Sequence, residues 1–251
     1  MLLQTLKAAL YGAVSESVPE RSVAVAFSGG VDSSLLAKIC KDIGKNVTLI
    51  TVGFPDSHDV RFSTAIASKM GMKQDVVKIE LDDFRYSLGL VRKSVKCENT
   101  SHVENCIAYL YLSKAAAGAG LSVLLSANGC DELFCGYSAY RAAYSSGGVA
   151  LAALMEEKIS NELELVDEIA TVAGQFGVAV RQPFLSSKFI EFAKSIPVES
   201  KIAGPDDLIR KHILREVALE IGVPRESAMK PKKALQYGSL IHKYFKNVRV
   251  Q

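Results

Sequence analysis

The chain has 251 residues, of which 49% are hydrophobic and 23% are charged, and its formal net charge is +3. This composition is typical of a soluble globular protein, and so small a charge excess argues against nucleic acid as a partner. No apolar run approaches the ~20 residues of a membrane span, so we expect a cytoplasmic protein without a membrane partner.

Residues 1–21 predict an N-terminal surface helix. Gln4 and Lys7 interrupt its apolar residues and it lacks a basic leading stretch, which argues against a signal peptide. The next segment, Val23 to Phe27, is a short apolar run typical of a strand buried on both faces of a parallel sheet. After a break at 28–30, residues 31–43 have the spacing of an amphipathic helix.

This junction of strand, glycine turn and helix start suits a phosphate. Bare backbone N–H groups and the positive end of the helix dipole favour an anion, and glycines let the main chain approach it closely. Ser28, Ser33 and Ser34 add hydroxyl donors, and Asp32 places a carboxylate where a magnesium ion bridging phosphates would lie. The alternative is a Gly-Gly turn followed by an Asp helix cap. The stretch contains neither G-x-x-x-x-G-K-[ST] nor G-x-G-x-x-G.

Strand and helix patterns then alternate. Apolar runs at 47–52, 75–81 and 122–127 predict strands, and the spacing at 59–70 and 107–119 predicts helices. The alternation predicts an α/β fold with a parallel, doubly wound sheet and ligands at the carboxyl ends of its strands. Helices are expected beyond Asp131, at 131–144, 149–158, 162–175, 186–194, 206–221 and 238–246. We therefore expect an N-terminal helix at 1–21, a nucleotide-binding α/β region at 22–146 and a helical region at 147–251 that completes the site.

Four later segments carry candidate chemistry. The loop 126–137 follows a strand, so its Asp131 and Glu132 share a rim with the first loop; they suit magnesium or simply the start of a helix. Lys211 and Arg215 share a helix face. The remaining two are a basic loop at 229–234 and an apolar turn after Arg181. Taken alone, the Lys211 and Arg215 pair is equally typical of a solvated cationic face, and the basic loop is more typical of a surface loop.

The cysteines give a weaker signal. Five are present, none in a C-x-x-C pair or a familiar zinc spacing, and we expect reduced thiols. A metal or redox site stays open if Cys130 and Cys135 lie near Cys97 or Cys106 in space.

Five collinear segments resemble the synthetase domain of asparagine synthetase and its relative β-lactam synthetase, within the ATP pyrophosphatase (PP-loop) superfamily. The matching segments are S-G-G-V-D-S-S at 28–34, Val52-Gly53, D-E-L-F with G-Y at 131–137, R-Q-P-F-L at 181–185 and K-H-I-L-R at 211–215. The resemblance implies an adenine nucleotide alpha hydrolase-like fold. It also implies a ligase in which a small substrate carboxylate attacks the α-phosphate of ATP and a nitrogen nucleophile then displaces AMP.

The same resemblance implies the site residues, with ATP and Mg²⁺ as cofactors. Those implied to contact ATP are Ala26, Phe27, Ser28, Gly29, Gly30, Val31, Asp32, Ser33, Ser34, Val52, Gly53, Ser126, Ala127 and Lys211. Asp32 and Asp131 would hold the metal. The implied catalytic residues are Lys232, Asp131, Glu132 and Asn128.

The chain departs from the family at two points. Asparagine synthetases begin with a glutamine-hydrolysing domain, whereas this sequence reaches the nucleotide region within about twenty residues. We therefore expect no glutaminase domain here, and nitrogen from ammonia, another amine or a separate glutaminase subunit. Asparagine synthetases also carry a glutamate at the position of Asn128. The Asn128 amide cannot take a proton at neutral pH, as a glutamate carboxylate can. At the position of Ser186 they carry an aspartate.

The adenylation half of the reaction is therefore expected to be intact, while the amidation half stays open. Two other interpretations remain: a PP-loop ATP pyrophosphatase that modifies a base or cofactor, and a non-catalytic ATP-binding homologue. Assembly into a homo-oligomer is also left open by the sequence.

Overall fold

The computed structural model describes residues 1–249 and the side chains of 1–248. Val250 and Gln251, the end of the predicted helical region, lie outside the described residues. The strands are β1 (Ser22–Ala26), β2 (Asn46–Gly53), β3 (Lys73–Lys78), β4 (Val123–Leu125) and β5 (Ala179–Arg181). The helices are α1 (Leu2–Ser17), α2 (Val31–Asp42), α3 (His58–Met70), α4 (Leu81–Ser94), α5 (Thr100–Gly118), α6 (Cys130–Leu133), α7 (Ala139–Ser145), α8 (Gly148–Gly174), α9 (Ser187–Ser195), α10 (His212–Glu220), α11 (Arg225–Ala228), α12 (Leu235–Gly238) and α13 (Ile241–Arg249). Two short 3₁₀ turns lie at Pro183–Leu185 and Val198–Ser200.

The five strands form one parallel sheet in the order β3-β2-β1-β4-β5, which confirms the predicted fold class. In the central strand β1, Val23 pairs in register with Val47 of β2, and Ala24 pairs with Leu124 of β4. The strand order therefore reverses beside β1. Ligands of open α/β sheets bind in the crevice at such a reversal, outside the carboxyl ends of the strands.

Helices cover both faces of this sheet. On one face α1 packs with α2, α9 and α10, and its Leu6 and Leu10 are fully buried. On the other, α5 packs with α4, α8 and α13, around fully buried Phe84 and Ile107. The apolar sequence of β1 follows from this double cover. Among the described helices, none combines the length and apolar character that a membrane crossing requires.

The region beyond Asp131 differs from the predicted run of helices. Residues 179–181 form the edge strand β5, in which Ala179 pairs with Val123. Three residues are too few to show a strand period, so the pattern could not reveal this strand. The helices expected at 149–158 and 162–175 are one continuous helix, α8.

Two other predicted helices are shorter than their spacing suggested. The helix expected at 131–144 is broken at Cys135, whose φ of 58° is left-handed, and becomes α6 and α7. The helix expected at 206–221 begins only at His212, because Arg210 and Lys211 have φ of 51° and 57°. A left-handed backbone cannot continue a right-handed helix.

Candidate active site

An open cleft lies at the carboxyl ends of the three central strands. It encloses about 1110 Å³, part of it open to solvent. Its floor is made by residues 26–28 after β1, 50–52 in β2 and 126–128 after β4. The walls come from α5, α8 and the segment 232–236. The site is thus built from both the predicted nucleotide region and the region after it.

The loop between β1 and α2 forms one side of the cleft. Ser33 lies in the first turn of α2, where its hydroxyl accepts from the backbone N–H of Ser28 (3.3 Å) and lies 3.3 Å from the Gly30 carbonyl. Gly29 has φ +73°, and a Cβ there would lie 3.0 Å from the Phe62 ring and from the Cα of Ser63. The loop therefore requires glycine at this position.

The predicted ATP-contacting residues divide into three groups. Those lining the main cleft are Ala26, Phe27, Ser28, Asp32, Ser33, Val52, Ser126 and Ala127. Gly30, Val31 and Lys211 line an adjoining cavity of about 370 Å³, which Ser28, Asp32 and Ser33 also reach. Gly29, Ser34 and Gly53 line neither space. The loop 28–34 thus contributes residues to two neighbouring cavities rather than to one.

Ser34 and Gly53, which line neither cavity, have packing roles. The Ser34 hydroxyl is buried and accepts from the Ser227 hydroxyl at 2.8 Å. At Gly53, a Cβ would lie 3.2 Å from the Cα of Ser239, and the neighbouring Phe54 N–H donates to the Ser239 carbonyl at 3.0 Å. Gly53 therefore lets the C-terminal segment pass close to the end of β2.

Lys211 bridges the two predicted metal-binding carboxylates. Its Nζ lies 2.6 Å from Asp32 Oδ2 and 2.7 Å from Asp131 Oδ1, while Lys232 Nζ contacts Asp131 Oδ2. Burial opposes charge on Lys211, but the two carboxylates outweigh it and raise its pKa above the usual value. Burial likewise acts against the Asp131 carboxylate, yet Lys211 and Lys232 hold its pKa well below the ordinary range. The cluster is therefore ionic at neutral pH.

Gly136 makes room for this cluster. A Cβ at this position would overlap the Asp131 carboxylate and the Cε of Lys211. The glycine of the motif D-E-L-F-x-G-Y is thus explained by the close packing of an acid and a lysine against bare backbone.

Arg215 connects the segments that carry Lys211 and Lys232. Its guanidinium donates to the carbonyls of Arg210 (2.7 Å), Ile209 (2.8 Å) and Lys230 (3.0 Å), and also to Ala228 at 2.5 Å. Arg215 is buried, and it shares no exposed cationic face with Lys211 as the spacing had suggested. These four hydrogen bonds from one guanidinium fix the main chain at residues 209–210, before Lys211, and at residues 228–230, before Lys232.

Asn128 lies at the other end of the cleft and contacts a carboxylate that the sequence did not single out. Its Nδ2 donates to Glu162 Oε1, and its Oδ1 accepts from the Tyr109 hydroxyl at 2.7 Å. Glu162 is 7% exposed and lies on α8. A signal for it existed, because Glu162 occupies a position in the buried stripe that includes Met155, Ile159 and Ile169.

Glu132 both lines this end of the cleft and caps α6. Its Oε2 accepts from the Gly129 N–H at 3.1 Å, and its Oε1 accepts from the Tyr137 hydroxyl. Burial, together with the negative charges of Glu162 and Asp131, raises the pKa of Glu132 to about 8. Burial also raises the pKa of Glu162.

Arg181 lies outside the cleft. It makes a bidentate ion pair with Glu20, both distances being 2.6 Å, and donates to the Ser17 carbonyl at 2.8 Å. The turn after it supports the second loop, since a Cβ on Gly129 would lie 3.0 Å from the Phe184 carbonyl oxygen. The R-Q-P-F-L segment therefore positions other residues and fastens the N-terminal segment.

Known proteins resemble this chain over most of its length. The asparagine synthase family model matches residues 5–175 and 161–250. A Methanocaldococcus jannaschii protein, provisionally named a glutamine-hydrolysing asparagine synthetase, is 30% identical over 252 residues, covering 86% of this chain and 46% of its own. The Rattus norvegicus glutamine-hydrolysing asparagine synthetase is 29% identical over 239 residues, covering 90% and 42%. The chain spans about half the length of these curated relatives.

Among solved structures, NMN synthetase from Francisella tularensis is similar in fold. It superposes with a TM-score of 0.53 at 12% identity, covering 99% of this chain and 87% of the other. At so low an identity the likeness concerns the fold alone.

Proposed function

The chain belongs to the asparagine synthase family, and on this basis we propose that it is an ATP-dependent ligase that adenylates a small carboxylate. Ammonia or another amine then displaces AMP to form an amide. One observation carries the proposal: the ammonium groups of Lys211 and Lys232 converge on Asp131 beside the 28–34 loop. Fixed ammonium groups beside a helix N-terminus can stabilise a polyphosphate and the charge that develops at its attacked phosphorus.

The adenylation step follows from this arrangement. We place the departing diphosphate on the 28–34 loop, at the first turn of α2, where the helix dipole favours an anion. Negative charge increases on the α-phosphate during attack, and preorganised cations stabilise it most where water is excluded. Lys232 lines both the main cleft and the adjoining cavity, so it can reach the phosphate on either side of the bond that breaks.

The donor set of the site fits magnesium. Asp32 Oδ1 is buried and has no hydrogen-bond partner among the described residues, and carboxylate oxygens are the donors that Mg²⁺ prefers. Asp32 and Asp131 would hold the ion. When bound there, it would neutralise phosphate charge. Lys211, which contacts both carboxylates, and Lys232, which contacts Asp131, together balance the charge of this acidic pair.

For the second step we propose Glu162 as the group that takes the proton of the attacking nitrogen. Asn128 cannot do this, whereas Glu162 lies in hydrogen-bond contact with it and lines the same cleft. Burial raises the pKa of Glu162, and a carboxylate of higher pKa is a stronger base. The nitrogen could reach the cleft as free ammonia, as another amine or from a separate glutaminase subunit.

A pyrophosphate-release assay tests the proposal. The chain is incubated with ATP, Mg²⁺ and a panel of carboxylic acids, with ammonia or an amine as the nitrogen source. We expect AMP and pyrophosphate that depend on one class of acid. Their formation should be lost in Lys232→Met but not in Lys158→Met, which changes a partly exposed lysine on α8. Absence of acid-dependent pyrophosphate across the panel would contradict it, as would products that form equally well with Lys232→Met.

A further inference from the structure

Cys97, His102 and Glu168 form a compact cluster in the wall of the cleft. Cys97 lies in the loop between α4 and α5, His102 in the first turn of α5, and Glu168 on α8. Each residue offers one potential ligand atom: the Cys97 sulfur, a ring nitrogen of His102 and a carboxylate oxygen of Glu168. These three atoms lie within 4.8 Å of one another. His102 Nδ1 is 2.9 Å from Glu168 Oε2. The cluster takes no part in the reaction proposed above.

Neighbouring amides fix the tautomer of His102. The Ser101 N–H donates to Asn99 Oδ1 at 3.0 Å, so the other amide atom of Asn99 is the donor Nδ2. Asn99 Nδ2 lies 3.4 Å from Asn161 Oδ1, and that same oxygen is 3.2 Å from His102 Nε2. Because an amide oxygen only accepts, Nε2 carries the ring proton.

A neutral His102 therefore directs the lone pair of Nδ1 at a carboxylate oxygen. Two lone pairs at 2.9 Å require a positive charge between them, which is either a second ring proton or a metal ion. A thiol beside the pair favours the metal, since cysteine, histidine and carboxylate together are the donors that zinc takes. A histidine ligand whose other N–H donates to a neighbouring oxygen is the usual arrangement in such sites.

We propose that Cys97, His102 and Glu168 bind a zinc-like divalent cation. Bond lengths of about 2.0–2.3 Å in a tetrahedron place ligand atoms about 3.3–3.7 Å apart, so small side-chain rotations would bring all three into position. On binding, the metal takes the place of the Cys97 thiol proton and of any proton between His102 Nδ1 and Glu168 Oε2. These protons pass to solvent, and the sulfur, the ring nitrogen and the carboxylate oxygen bond the metal. Three protein ligands leave one position for water.

The site is distinct from the acidic pair that suits magnesium. Asp32 and Asp131 offer oxygen donors only, whereas the proposed site adds sulfur and nitrogen, which select zinc-like ions. Other histidine–carboxylate contacts exist, such as His242 Nδ1 with Glu104 Oε1 at 2.9 Å. Among the described residues, however, only the Cys97 cluster brings three different types of metal ligand together.

Bound metal would join three segments of the cleft wall. His102 and Tyr109 line the cleft from α5. Asn161 and Glu162 line it from α8. The ion would tie the 95–99 loop and these two helices at one point. Its expected effect is to stabilise the wall against which the acceptor end of the cleft is built.

The test is a titration of the metal-depleted, full-length protein with Co²⁺, a spectroscopic stand-in for zinc. We expect one equivalent that gives a sulfur-to-cobalt charge-transfer band, is displaced by Zn²⁺ and is not displaced by Mg²⁺. Affinity should fall at least about 100-fold in Cys97→Ser, because loss of an outer-shell partner alone typically costs about 10–100-fold. Zn²⁺ should also raise the thermal midpoint of the wild type and leave that of Cys97→Ser unchanged.

Three further variants keep the result interpretable. Glu168→Gln retains the shape of a partly exposed side chain and should weaken Co²⁺ binding, even if Cys97→Ser folds poorly. His242→Gln removes the matched histidine–carboxylate contact that lacks a thiol and should leave binding unchanged. The proposal would be overturned if no charge-transfer band formed, or if the band persisted in Cys97→Ser and disappeared in Cys130→Ser.

Discussion

Lys211 Nζ contacts Asp32 Oδ2 at 2.6 Å, although 179 residues separate them in the sequence. Asp32 lies in the first turn of the helix after the central strand, and Lys211 precedes α10 in the region beyond the nucleotide-binding strands. The ionic centre of the site therefore forms only when both parts of the chain are folded together. Four predictions follow from this centre and from the neighbouring acids.

Replacing Lys211 with methionine should destabilise the protein strongly. The substitution leaves Asp32 without its ammonium partner and Asp131 with one instead of two, and breaking a buried ion pair costs about 3–5 kcal/mol. Urea unfolding at neutral pH measures the loss. Lys7→Met, which removes an exposed pair with Glu220, should leave the midpoint nearly unchanged. Equal midpoints for the two variants would show that the Lys211 contacts contribute little.

Gly136→Ala and Gly89→Ala should change stability in opposite directions. The new methyl at 136 would overlap the Asp131 carboxylate and Lys211, so we expect a loss of about 2 kcal/mol or more together with loss of ATP binding. Gly89 lies inside α4 with open space around it, and alanine there should stabilise by about 0.5–1 kcal/mol. Thermal unfolding and nucleotide titration measure both effects. A neutral Gly136→Ala would mean that the cluster is looser than described.

Glu162→Gln should separate the two halves of the proposed reaction. Glutamine keeps an acceptor for Asn128 Nδ2 but cannot take a proton, so amide formation should fall about 100-fold or more. Acid-dependent exchange of labelled pyrophosphate into ATP should change by less than about threefold. Glu164→Gln, exposed on the same helix, is the matched control. A parallel fall in both reactions would assign Glu162 to binding or folding instead.

The same variant should alter how stability depends on pH. Burial raises the pKa of Glu162 above its ordinary 4.5, so the folded state keeps a proton that the unfolded state releases. The contribution of the Glu162 side chain to stability is therefore complete below pH 4.5 and is lost as the pH rises toward the pKa of the folded state. Relative to wild type, Glu162→Gln should therefore gain stability as the pH is raised from 5 to 8. A constant difference across this range would contradict the raised pKa.

Local motifs explain why much of the site could be predicted from sequence. The 28–34 loop and the Asp131-Glu132 helix start each follow a buried strand, and parallel strands bring their carboxyl ends to one edge. Residues adjacent to a strand end are therefore placed by the sheet itself. For this reason Asp32 and Asp131 could be paired before the fold was known.

The remainder depends on contacts that have no local period. Strand β5 has three residues and pairs only with β4, so its existence depends on a partner 56 positions away at Val123↔Ala179. Glu162 differs from its exposed neighbour Glu164 only in which side of α8 it occupies. The bridging position of Lys211 results from a left-handed turn at 210–211 that the helical spacing concealed.

The hydrogen bonds from Arg215 to main-chain carbonyls limit which sequence changes the segments around residues 209–210 and 228–230 can accept. Because the guanidinium contacts backbone oxygens of residues 209, 210, 228 and 230, these hydrogen bonds do not themselves require particular side chains at those positions. An insertion or deletion in either segment would instead shift a carbonyl away from its donor and displace Lys211 or Lys232. Substitution should thus be tolerated there far more readily than any change in loop length.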